Sequence, residues 1–161
     1  MKEIINKISV ENQNSKYLKD AHPTILIDDK PLDQFFGEYY PNDFIPGLIP
    51  MIVDWMNLDE ESKLVEYVYD STDKTKILPI LMCPDDCDFS CTIIVAEVET
   101  TNNQIKWNRI GIDRNNPKEV IDKKKFLEIG IEWIDNVPIM IFNKEEYMSL
   151  EKIYKYRSQS E

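Results

Sequence analysis

Three cysteines, Cys83, Cys87 and Cys91, stand four residues apart in the segment CPDDCDFSC, interleaved with Asp85, Asp86 and Asp88. Thiolates bind soft metals, and His22 is the single imidazole that could complete such a set. Structural zinc sites, however, place their ligands in two separate knuckles, and one evenly spaced run does not supply these. Redox chemistry of the Cys-x-x-Cys kind has no match either. Free cysteine is among the most buried residue types, so the favoured reading is packing thiols at strand ends. The metal reading, with Cys83, Cys87, Cys91 and His22 as ligands, stays as the alternative.

The acids of the same loop overlay part of a calcium-loop pattern at Asp86, Asp88 and Ser90. Cys91 stands where the sharp turn of such a loop needs glycine, and the residues after it read as strand. Catalysis has less support. With one histidine, followed by Pro23, there is no HExxH and no serine or cysteine triad, and four scattered glycines form no phosphate-cradling loop. No catalytic residue and no cofactor is assigned, and an enzyme is not expected. What remains is recognition. Asp85, Asp86 and Asp88 are expected to meet a protein partner, and Tyr39 and Tyr40, in a loop with Glu38 and Asp43, suit an aromatic hot spot.

Thirty acidic against nineteen basic residues give a net charge of -11, which repels phosphate backbones and anionic lipid and favours encounter with a basic protein. Nucleic acid is therefore not an expected direct partner. The most apolar window, Phe44 to Val53, contains Pro46, Gly47 and Pro50 and falls short of the roughly 20 apolar residues a bilayer requires. The N-terminal stretch lacks the apolar run of a signal peptide, and an odd cysteine count argues against a secreted disulfide framework. A cytoplasmic protein with reduced thiols is expected.

At 161 residues with 42% hydrophobic content the chain has enough material for one core, and residues 1–161 are expected to form a single domain. Residues 1–22 read as a weakly structured lead-in and 113–129 as a charged connection. Thr24 to Ile27 predicts a strand, closed by a turn at Asp28-Asp29-Lys30-Pro31, with a short helix from Leu32 to Phe36 that Asp29 would cap and Gly37 would end. Apolar residues at three- and four-residue spacing predict an amphipathic helix from about Pro50 to Leu58, and alternation in KLVEYVYD predicts a strand over Lys63 to Asp70. The acids Asp59-Glu60-Glu61 between them stop the helix or open a new turn.

Ile77 to Met82 predicts a strand with Pro79 at an edge or bulge. Cys91 to Glu99 and Gln104 to Asp113 form a hairpin in which Glu97 faces Lys106 and Ala96 faces Trp107. Extended pieces follow at Gly130 to Ile134 and Ile139 to Phe142. Asn143 with Glu146 marks the capped start of a closing helix that buries Tyr147, Leu150 and Tyr154. The fold class expected is α+β, a mainly antiparallel sheet of about five to six strands with two or three packed helices.

ILIDDKPLDQFFGEYYP, the DWM that follows the apolar run, ILPILMCPDDCDFSCTIIVAEVE, IKWNRIGID and EWIDNVPIMIFNKEEY together resemble small bacterial proteins similar to the immunity proteins of toxin systems, over roughly residues 24–150. The resemblance implies a cytoplasmic inhibitor that occludes a toxin, and it brings no catalytic residue with it. The acidic charge adds the expectation of a basic toxin, such as a nuclease. A small metal- or ligand-binding protein using the Cys83–Cys91 loop is the alternative.

Overall fold

The computed structural model describes residues 5–13, 21–40, 45–85, 87, 92–113 and 130–155. The charged connection beyond Asp113 lies outside the described residues, as do Asp86, Asp88 and Cys91. The architecture is α+β, as expected. Its spine is the ten-residue strand β7 (Gln104–Asp113), long enough to carry two partners in tandem on one side. Its N-terminal half pairs with β9 (Met140–Asn143) and its C-terminal half with β8 (Ile131–Trp133). The other side pairs with β6 (Ile93–Thr100), then β5 (Thr75–Met82), then the two-residue β4 (Ile49–Pro50), all antiparallel.

A second, three-stranded sheet holds β1 (Ile8–Gln13), β2 (His22–Ile27) and β3 (Lys30–Pro31). The lead-in is thus not weakly structured throughout: Ile8 and Val10 of β1 are core residues paired with β2. Asn6 joins the two sheets. Its amide donates to the Ile141 carbonyl at 2.7 Å, and its side-chain oxygen accepts from the Ile141 amide at 3.0 Å. The β2–β3 turn places Asp28 and Asp29 at φ 52° and 69°, left-handed values that Asp tolerates better than most side chains. Asp29 caps no helix. It pairs with Lys7 at 2.9 Å, and α1 (Leu32–Gly37) starts without a side-chain cap.

Two helix and strand expectations are exchanged. Residues 50–58 form no amphipathic helix but β4, an extended link and a 3-10 turn at Val53–Trp55. Leu48, Ile49, Met51, Ile52 and Val53 are all buried, so the run is covered on every side, and Pro46, Gly47 and Pro50 break any helical ladder. Residues 63–70 are no strand. They continue α2 (Asp59–Asp70), whose buried positions Ser62, Val65 and Val68 recur every third residue. Asp59, Glu60 and Glu61 open this helix, where acids complement the positive end of its dipole.

The β6–β7 hairpin forms, but Glu99 faces Lys106 and Val98 faces Trp107, two residues away from the expected register. The Thr101 amide donates to the Gln104 carbonyl at 2.9 Å and closes a tighter turn than the one expected. An irregularity next to Glu97 then brings Arg109 opposite it, and their side chains pair at 2.6 Å. Pro79 does lie at a bulge. Its carbonyl accepts the Tyr154 hydroxyl at 2.7 Å, which fastens the closing helices α3 (Lys144–Tyr147) and α4 (Glu151–Tyr154) across β5. Asn143 caps α3 as expected, accepting from the Glu145 and Glu146 amides. The Glu146 carboxylate reaches the Ile8 amide instead of completing a capping box.

At the other end of α2, the Lys76 ammonium donates to the Tyr69 and Ser71 carbonyls at 2.5 and 3.0 Å. Burial nevertheless pulls its pKa from 10.5 down to about 8, against the opposing pull of Asp70 and Asp73. Between those two values the unfolded chain binds the proton that the folded chain has released, so stability rises with pH over that interval. With solvent screening of a half-open side chain, the gain between about pH 8 and 10 should be on the order of 1 kcal/mol. Above pH 10 the trend reverses. Burial raises Tyr69 to about 12 and pushes Tyr154 well up, so the unfolded tyrosines ionise first. Urea unfolding across this range should show the maximum in the native chain and lose the rise in Lys76→Met; a rise retained in the variant would assign it elsewhere.

Candidate functional site

The cysteine loop begins where β5 leaves the sheet. The Cys87 amide donates to the Cys83 carbonyl at 2.9 Å, closing one turn, and Cys87 takes φ 49° to reverse the chain. The two sulfurs differ. Cys83 is disulfide-bonded, whereas Cys87 keeps a buried thiol that donates to the Pro84 carbonyl at 3.3 Å. The packing-thiol expectation therefore holds for Cys87 and fails for Cys83. A disulfide sulfur is also not the thiolate that a zinc site requires, and disulfides are characteristic of oxidising compartments. Among the described residues no three His, Cys, Asp or Glu side chains group as metal ligands.

Asp85, midway along the turn, is exposed. The turn is held to the 3-10 segment by the Asn57 amide, which donates to the Cys87 carbonyl at 3.0 Å. That bond ties the Asp85 turn to the segment that holds Trp55 and Leu58. Trp55 and Leu58 remain 36% and 50% exposed, although apolar neighbours on both sides are buried. Asp59 and Glu60, at the exposed start of α2, adjoin them. The segment thus exposes an aromatic and an aliphatic side chain, followed directly by two exposed acids. Trp55 was expected inside an amphipathic helix, where its exposure would have had no meaning.

Tyr39 and Tyr40 are half-buried and packed on the core rather than displayed. Tyr39 lies against Phe35 with ring centroids 5.6 Å apart, and the Tyr40 hydroxyl donates to Glu132 at 3.4 Å. Tyr40 thus reaches Glu132 of β8, whereas Asp85 lies on the turn that follows β5.

His22 lies in a different place again, at the start of β2. It is 2% exposed and forms part of the wall of a cavity of about 500 Å³, with Gln13, Thr24, Asp33 and Gln34 as the other polar wall residues. Three prolines and three leucines complete the described lining. Its Nδ1 lies 2.9 Å from the Pro23 carbonyl, which can only accept, so Nδ1 carries a hydrogen. Its Nε2 is buried without a hydrogen-bond partner. Asp33 accepts the Gly47 amide at 2.7 Å, and burial holds its carboxyl above the usual range against the pull of nearby amides and His22. Trp55 meets the imidazole edge-on, with centroids 5.9 Å apart.

Sequence reasoning found His22 only as a potential metal ligand and missed Asp33 entirely. The pair is eleven residues apart across a hairpin and a helix start, and no spacing rule joins them. Among the described residues, no helix is long and apolar enough to cross a membrane. Comparison with family models, with curated proteins and with solved structures returns no match.

Proposed function

We propose that this protein is an immunity-type inhibitor that binds a basic protein toxin through the face formed by Trp55, Leu58, Asp59, Glu60 and Asp85. The observation that carries the reading is the exposed Trp55–Leu58 pair followed directly by exposed acids, on the segment to which the cysteine turn is hydrogen-bonded. Aromatic anchors surrounded by complementary charge are what concentrated binding energy looks like at interfaces, and a chain of net charge -11 attracts a basic surface over distance. Occlusion needs no catalytic group. The resemblance implies the cytoplasm, whereas the Cys83 disulfide is a mark of oxidising compartments; charge alone favours a nuclease among the basic toxins.

The test is genetic and biophysical. The products of the adjacent reading frames should include one that arrests growth when expressed alone and is neutralised by this protein. Trp55→Ala should weaken the complex tenfold or more, by slower capture and faster loss, while Asp85→Lys should lower chiefly the association rate at low salt. If no neighbouring product is toxic, or if both variants protect and bind as the native chain does, the reading fails.

A further inference from the structure

The cavity beside His22 belongs to no part of the partner-binding reading. Among the described lining residues there is no lysine or arginine, so an anionic ligand finds no counter-charge there. His22 presents Nε2, an acceptor in the neutral ring because Nδ1 holds its hydrogen toward the Pro23 carbonyl, and Asp33 presents its carboxylate, while the side-chain amides of Gln13 and Gln34 can donate or accept. The hydroxyl of Thr24 is taken up by His22 itself, donating to its carbonyl at 3.2 Å and lying 3.2 Å from its Nδ1. A buried polar nitrogen left without a hydrogen-bond partner is destabilising, and a donor-bearing ligand would relieve it. Three leucines and three prolines form the apolar remainder, suited to a short hydrocarbon stem.

We propose that this cavity binds a small organic cation, an alkylammonium or alkylguanidinium group whose N–H donors meet Asp33 and His22 while its stem packs on the leucine and proline wall. A cation matches the half-buried carboxylate, and a compact volume of about 500 Å³ lies within the ordinary range of small-ligand sites. The same chemistry has two sources, a free amine or the side chain of a lysine or arginine presented by a protein.

His22 is the only histidine of the chain, so its imidazole signals in NMR are unambiguous. Titration with n-butylguanidinium and n-butylammonium should shift them saturably, with n-butanol and butyrate at equal concentration leaving them in place. Asp33→Asn should weaken the cation at least tenfold. Gln13→Lys, which puts a tethered ammonium in the wall from the end of β1, should block the site and keeps the test valid if the first variant does not fold. A capped Gly-Arg-Gly peptide separates the sources: binding as tight as that of butylguanidinium points to a protein side chain, and exclusion of the peptide points to a free amine. Shifts equal for cation, alcohol and carboxylate, or affinity unchanged in both variants, would overturn the proposal. Because no toxin enters this experiment, its outcome is separate from that of the partner-binding test.

Discussion

Replacing Trp107 by alanine should cost the fold about 3–5 kcal/mol, the range for removing a fully buried large aromatic. Trp107 has no exposed surface and sits on the spine strand β7, opposite Val98 on one side and Met140 on the other. Its ring meets Phe142 and Tyr147 edge-on, at centroid distances of 5.0 and 6.3 Å, and its Nε1 donates to the Tyr147 hydroxyl at 3.0 Å. Alanine would remove the hydrocarbon, leave a cavity and orphan that hydroxyl in a buried place. Trp107→Phe keeps most of the volume and should cost about 1–3 kcal/mol, mainly the lost bond. Urea unfolding followed by circular dichroism measures both. A loss below about 1 kcal/mol for alanine would mean that the β7–β9 seam is not the centre of the core.

Replacing Gly111 by valine should cost about 3 kcal/mol, the upper end of the ordinary cost of forcing atoms into a packed site. Even the first carbon of a side chain there would lie 2.5 Å from the Ile131 Cγ2, 2.9 Å from the Trp133 ring and 3.1 Å from the Glu132 carbonyl. Gly111 pairs with Val95 on one side and with Trp133 on the other, so the strand that yields is the short edge strand β8. Its displacement would draw Trp133 from the Arg109 guanidinium, now 3.9 Å from the ring centre, and Glu132 from Tyr40. On an Ile131→Ala background the penalty should shrink, because the closest contact is a side-chain methyl; the backbone contact would remain. An equal penalty in both backgrounds would show that β8 does not carry the clash.

The sheet was legible where local chemistry and burial point the same way. Thr24 to Ile27, Ile77 to Met82, the β6–β7 hairpin and the Asn143 cap each follow from β-branched runs, turn residues and capping oxygens that act over a few residues. Pro79 announced its own bulge. The exchange of helix and strand between residues 50 and 70 has a different origin. Short windows satisfied the wrong period, since Leu64 and Val68 fit an alternating and a helical pattern alike, and the residues around Ile52 are apolar at almost every position. The neighbours settled it: β5 and the closing helices cover Val65 and Val68, and the core closes around Ile49 to Val53 from all sides.

By itself the sequence determined the charge, the α+β class, the strand-forming segments and the acidic cysteine turn, because these depend on composition and on interactions within a few residues. The tertiary structure decided what faces outward and what meets across the chain. It set the hairpin register by the closure at Thr101 and Gln104, put Trp55 and Leu58 on the surface beside Asp85, bonded Cys83 but not Cys87 in a disulfide, and joined His22 with Asp33 in one cavity wall. Each of these rests on contacts between segments distant in the chain, where burial and exclusion of water are properties of the whole fold and leave no mark on local spacing.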